Sequence, residues 1–257
     1  MLTALLLGVL TTIANLLGGS LSAAKAQPSP AVMASGLAFS GGFLLAAALL
    51  EMAPAAIEGS SRGPWMIGVG FLLVYLTEHL GNVHVHQIPV GDGEDAHAHA
   101  AVPPATVASR RAIASFAAFN VHDLMDGVAI GAAMITDPAL GVVVFVAVLL
   151  HEVPAGFAIG TIIRNYGGSR RQALLAGLSI GVVTLVGILI PFALGEVSVA
   201  LTSMLLGVAA GTFIYIGASI LIPTAETGRY RWSFVYVALG FAVFAATAEI
   251  AGRIAGA

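Results

Sequence analysis

The chain reads as an all-α, polytopic membrane protein, an eight-transmembrane-helix bundle with inverted repeats. Three observations predict this. Charged residues make up only 9% of its 257 residues and hydrophobic residues 58%, whereas a soluble domain carries roughly 25% charged residues. Mean hydropathy is +0.98, and apolar windows of the roughly 20 residues needed to cross a hydrocarbon core follow one another along most of the sequence. Two of those windows, adjacent and therefore of opposite direction, carry related polar motifs, which is the sequence mark of an inverted repeat.

The windows fall at 2–24, 32–57, 64–83, 112–134, 139–163, 172–194, 197–223 and 232–252, in a single transmembrane domain covering 1–257. The first could be taken for a signal peptide, since Ala24-Lys25-Ala26 resembles a small-x-small cleavage site. It has no basic leader, however, and its apolar run exceeds the roughly 7–15 residues of a signal-peptide core, so it is read as a span. The second window places Glu51 toward its outer end; the third places Glu78 and His79 toward its inner end, where they could receive an ion that Glu51 attracts. For each of the three, a helix-end side chain reaching the interface is the competing account. The fourth and fifth windows hold the polar motifs. In the sixth the polar side chains are Gln172, Ser179 and Thr184, and the last two windows have Glu196 and Glu249 near ends that face outside.

Basic residues set the orientation. Lys25, Arg110, Arg111, Arg164, Arg170, Arg171, Arg229 and Arg231 lie in odd-numbered connections, against Arg62 in an even one and Arg253 at the C-terminus. The positive-inside rule then puts the odd connections in the cytoplasm and both termini outside, as expected of a multi-pass protein of the plasma (inner) membrane. The one long connection, 84–111, contains His84, His86, His97 and His99 with Asp92, Glu94 and Asp95 among Gly, Pro and Ala. It is read as a flexible cytoplasmic loop able to capture transition metal ions, a plain solvated linker being the other reading. A net charge of −3 offers no basic stripe for nucleic acid. The absence of cysteine excludes disulfides, thiolate metal sites and Cys nucleophiles, so a metal here must be held by His, carboxylate or backbone oxygen.

The fourth window reads His122-Asp123-Leu124-Met125-Asp126-Gly127 and onward to Gly131; the fifth reads His151-Glu152-Val153-Pro154-Ala155-Gly156 and onward to Gly160. Displaced by 29 residues, they share His, an acid and the glycines in the same columns. Both histidines fall near the middle of their windows, so the imidazoles should meet at the bilayer midplane. At about 100° per residue, Asp123 lies about 100° and Asp126 about 40° from His122, which places Asp126 between the other two. The paired glycines are expected to let these two helices approach each other, and Pro154 frees the carbonyl of Leu150. Any one of these polar groups could simply hydrogen-bond between helices. Two imidazoles and three carboxylates at one depth are costly as a mere network, whereas a divalent cation neutralises the acids and suits mixed N and O donors.

With these residues in hand, the chain resembles the ZIP (Zrt/Irt-like protein) family of divalent metal transporters, His122-Asp123-Leu124-Met125-Asp126-Gly127 being similar to its fourth-span motif and His151-Glu152-Val153-Pro154 to its fifth. Met52-Ala53-Pro54 and the His-rich loop add to the likeness. The resemblance implies influx of zinc or a similar ion (Fe, Mn, Co or Cd) toward the cytoplasm. It also implies a main site of His122, Asp126 and His151, with Asp123 and Glu152 on the neighbouring face. No prosthetic group is implied, the metal being cargo; the partners are the ion and the bilayer, with a homodimer left open. The chain departs from the family at Ala155, where many members carry a carboxylate or His, and in the sixth window, which lacks an acid. One well-occupied metal is therefore expected. Two other functions stay open on the residues alone: an intramembrane zinc-dependent hydrolase, although Ala155 removes the second His of H-E-x-x-H, and a proton-linked carrier of another solute.

Overall fold

A computed structural model of the chain describes residues 2–24, 29–80, 105–136, 138–165, 167–195, 198–226, 230 and 232–255. Among them every regular element is helical: α1 (Leu2–Ser22), α2 (Pro30–Ala47), α3 (Ala53–Gly59), α4 (Gly63–Leu80), α5 (Ala105–Thr136), α6 (Pro138–Asn165), α7 (Arg170–Leu194), α8 (Val199–Tyr215), α9 (Ile222–Glu226) and α10 (Ser233–Ala255). Among the described residues six stretches are long and apolar enough to cross a membrane: Leu2–Ser22, Ala34–Gly59, Val144–Arg164, Arg170–Leu194, Val199–Glu226 and Ser233–Ile250. Gly63–Thr77 is a shorter apolar helix. The protein is thus all-helical and polytopic. Its outer surface agrees, with Leu6, Leu17, Trp65, Leu72, Leu175 and Phe234 among many large apolar side chains left exposed, as a lipid-facing surface requires.

Local chemistry fixes the helix ends. Ser29 caps α2 ahead of Pro30, Ser198 caps α8 through the amide of Leu201 at 3.2 Å, and Ser169 with Gln172 forms a capping box on α7. Gly195 at φ 90° closes α7 in a conformation that side chains rarely adopt. Helix α5 begins at Ala105, so residues 105–111 of the connection read as a loop are helical; a hydropathy window registers apolar residues, and Arg110 and Arg111 are good helix formers that it passes over.

Two π-helical segments interrupt otherwise continuous rods: Ala48–Met52 joins α2 to α3, and Ile216–Leu221 joins α8 to α9. Each ends with an amide bonded five residues back, Ala53 to Ala48 and Ile222 to Gly217, and each is followed two residues on by a proline, Pro54 or Pro223. A proline ring collides with the carbonyl four residues earlier. Those carbonyls, of Leu50 and Ser219, lie within the widened turns, which gives the rings room.

Helices α1, α5, α6 and α7 pack mainly on one another, while α10 packs on α2, α4 and α3 pack on α8, and α2 packs on the turn between α8 and α9. The first group meets the second where α5 touches α8 and α6 touches α2. Small residues make the first group tight, but not as the glycine spacing suggested. Gly127 and Gly131 face α7, where a Cβ at Gly127 would lie 2.8 Å from the Cα of Gly187. Gly156 and Gly160 face α1, where a Cβ at Gly156 would lie 3.0 Å from the Cα of Asn15. The expectation that these glycines bring α5 and α6 together is therefore corrected. His122, Asp126 and His151 occupy the α5–α6 seam, and the glycines on the other flanks admit α7 and α1.

Candidate metal centre

His122 and Asp126 stand one turn apart on α5, and His151 comes from α6, three residues before Pro154. Their metal-ligating atoms all lie within 4.8 Å of one another, the one such cluster among the described residues. The Nε2 atoms of both histidines converge on one oxygen, Oδ2 of Asp126, at 3.4 Å from His122 and 3.1 Å from His151. All three side chains are buried, at 0 to 1% exposure.

Phe213 of α8 seals one side. Its ring centroid is 4.6 Å from each imidazole and meets both edge to face, while the imidazoles stand 5.7 Å apart. Thr212, the residue before it, places its hydroxyl 2.9 Å from Nδ1 of His122. With Phe213 and Thr212 against it the cluster is buried, and charge interactions away from water are strong.

Asp123 and Glu152 are also fully buried but stand outside the three-residue cluster. Glu152 turns toward α1 and α7: the amide Nδ2 of Asn15 donates to its Oε2, and the hydroxyl of Thr184 lies 3.3 Å from its Oε1. Both oxygens of Asp123, the second oxygen of Asp126, Oδ1 of Asn15 and Nε2 of His122 receive no hydrogen bond among the described residues. The buried acidic side chains described are these three, with no buried Lys or Arg beside them. Acids and imidazoles gathered away from water in this way call for a cation.

The other predicted residues lie apart. Glu51 is half-buried in the π-helical turn after α2, and His79 is exposed at the end of α4, with its Nε2 3.2 Å from the hydroxyl of Tyr75. Glu78 lies on α4, and its side chain is outside what the structure describes; His84, His86, His97 and His99 fall outside the described residues altogether. Asn15, Thr212 and Phe213 were not singled out from the sequence. The signal for Asn15 was there, the one amide side chain in the first window, whereas nothing in the sequence tells Thr212 from a threonine that merely bonds its own helix.

A bundle of apolar helices around a buried His, His and Asp cluster defines an integral membrane protein built to handle a transition metal ion. Residues 93–248 match the family model described as ZIP Zinc transporter. The chain belongs to that family. It is 27% identical to a zinc transporter ZupT of Corynebacterium aurimucosum, the match covering 92% of each chain, and 28% identical to a ZupT of Salmonella heidelberg over 88% of each. It is also 29% identical to the zinc transporter ZIP9 of Xenopus tropicalis over 60% of this chain, a match spanning half of that longer protein.

Proposed function

We propose that the protein carries zinc, or a similar divalent transition metal, across the membrane into the cytoplasm through a site of His122, Asp126 and His151. The observation that carries this reading is the convergence of two imidazole nitrogens on one carboxylate oxygen, at 3.4 and 3.1 Å, in a buried setting rich in acids. Imidazole with carboxylate binds zinc well and also suits Fe, Mn, Co and Cd; the relatives, which are zinc transporters by name, favour zinc. Membership of a transporter family sets aside the hydrolase reading.

In this scheme the chain crosses the bilayer eight times as one transmembrane domain, both termini lie outside, and the cluster sits at the midplane. The paired motifs of α5 and α6 belong to inverted halves. Asp123 and Glu152 provide neighbouring negative charge, Glu51 attracts the ion outside, and Glu78 and His79 receive it at the inner end. His84, His86, His97 and His99 hold it briefly in the cytoplasm. A homodimer is the assembly to test first, by light scattering of the purified protein.

The experiment is uptake into sealed proteoliposomes holding a zinc indicator, with Fe, Mn, Co and Cd as competitors. Zinc-dependent flux above that of empty liposomes, abolished in His122→Ala and His151→Ala, supports the reading. No metal flux, or full flux in both variants, overturns it.

A further inference from the structure

We infer that Thr212 is a positioning residue that holds His122 in the tautomer whose Nε2 lone pair faces the metal. The inference rests on the reading of His122 as a ligand. Its basis is a count of hydrogens at one oxygen. The hydroxyl of Thr212 lies 2.7 Å from the carbonyl oxygen of Ala209 and 2.9 Å from Nδ1 of His122. A hydroxyl has one hydrogen, and a carbonyl oxygen can only accept. Two oxygens 2.7 Å apart with no hydrogen between them would repel, so the hydroxyl hydrogen points to Ala209. The contact with His122 then needs a hydrogen of its own, and only Nδ1 can supply it. In a neutral imidazole the proton on Nδ1 leaves Nε2 as a lone pair.

That Nε2 faces Oδ2 of Asp126 at 3.4 Å, and no hydrogen bond reaches it among the described residues. Lone pair facing lone pair is unfavourable until a cation lies between them. Thr212 itself is fully buried, so water does not compete for Nδ1 from its side. Phe213 limits the swing of the ring by packing on both imidazoles. The metal-binding face of an α5 side chain is thus set by α8, a helix that contributes no ligand to the cluster. A donor and acceptor pair behind a metal-binding histidine typically accounts for about 10- to 100-fold in metal affinity.

The test is nitrogen-15 spectroscopy of histidine-labelled, metal-free protein, with His122 assigned by difference from His122→Gln. Zinc titration and thermal unfolding accompany it for wild type, Thr212→Val and Thr212→Ser. His122 should show the Nδ1-protonated form in wild type and in Thr212→Ser, and lose it in Thr212→Val. Zinc affinity should fall about 10- to 100-fold in Thr212→Val and recover to within a few-fold in Thr212→Ser. A purely structural role would lower the unfolding temperature without moving the tautomer. An Nε2-protonated His122 in wild type overturns the inference, and so does unchanged affinity in Thr212→Val. Absence of zinc binding by wild type would instead remove the ligand reading, while the tautomer signal, read without metal, still decides the role of Thr212.

Discussion

Replacing Gly156 by alanine should unfasten α1 from the site. A Cβ there would lie 2.9 Å from the carbonyl carbon of Asn15 and 3.0 Å from its Cα, with the carbonyl oxygen nearer still, whereas ordinary contact begins at 3.4 Å. The obstacle is backbone, so a rotamer change does not relieve it and α1 must back away at the turn that offers Asn15 to Glu152. Two terms oppose each other. Alanine is favoured over glycine in a helix by about 0.8–1.0 kcal/mol, and overpacking a tight interior costs about 1–3 kcal/mol. Losing the hydrogen bond from Asn15 adds about 0.5–1.5 kcal/mol, so the balance for Gly156→Ala is destabilising. Gly177→Ala, whose Cβ would meet the carbonyl oxygen of Asn15 at 2.9 Å and Gly19 Cα at 3.2 Å, should be milder. Gly68→Ala, with nothing within 4 Å, should be neutral or slightly stabilising. Thermal unfolding in detergent should rank the three in that order, and zinc uptake per folded molecule should drop only in the first two. If Gly156→Ala behaves like Gly68→Ala in both assays, the close seating of α1 against α6 is refuted.

Loss of a direct ligand should exceed the effect of a supporting one: His122→Ala, His151→Ala and Asp126→Ala should each reduce zinc affinity by more than the roughly 10- to 100-fold typical of an outer partner, as read by titration of protein that elutes normally on gel filtration. Wild type should bind one tightly held ion, because Ala155 brings no oxygen to the site and Glu152 is engaged by Asn15 and Thr184; Ala155→Glu should raise the zinc-to-protein ratio by elemental analysis, and two tight ions in the unmodified protein would contradict this. Replacing His84, His86, His97 and His99 by Ser together should leave uptake largely intact while weakening zinc binding, and complete loss of uptake in a folded variant would place these residues on the conducting path.

The helices were legible because the membrane imposes a simple rule on sequence: a window of apolar residues long enough to cross. His122, Asp126 and His151 stood out for the same reason, since ionisable groups inside such windows need a purpose. Which helix each glycine touches was not legible. Gly127 and Gly156 have the spacing of a close-packing face, but spacing carries no information about the partner, and the seam they were assigned to is filled by the site itself. The separation of Glu152 from the cluster was hidden as well, because it depends on Asn15 from a helix remote in sequence. The π-helical turns before Pro54 and Pro223 escaped for a further reason: a hydropathy window does not register one extra residue in a turn.

Asn15 and Glu152 are bonded across 137 residues of sequence. A ribosome adding roughly 5–20 residues per second makes the second of them about 7–27 s after the first. During that interval α1 stands in the bilayer with its amide unpaired and its glycine face bare, because α6 and α7, against which it packs, have not been made. α1 therefore waits for α6 and α7, and α2 and α4 wait longer still, for α10 and α8. A defect in that face still leaves α1 loose against α6 and α7 once the chain is finished, and what membrane quality control would meet is a full-length protein with one open seam.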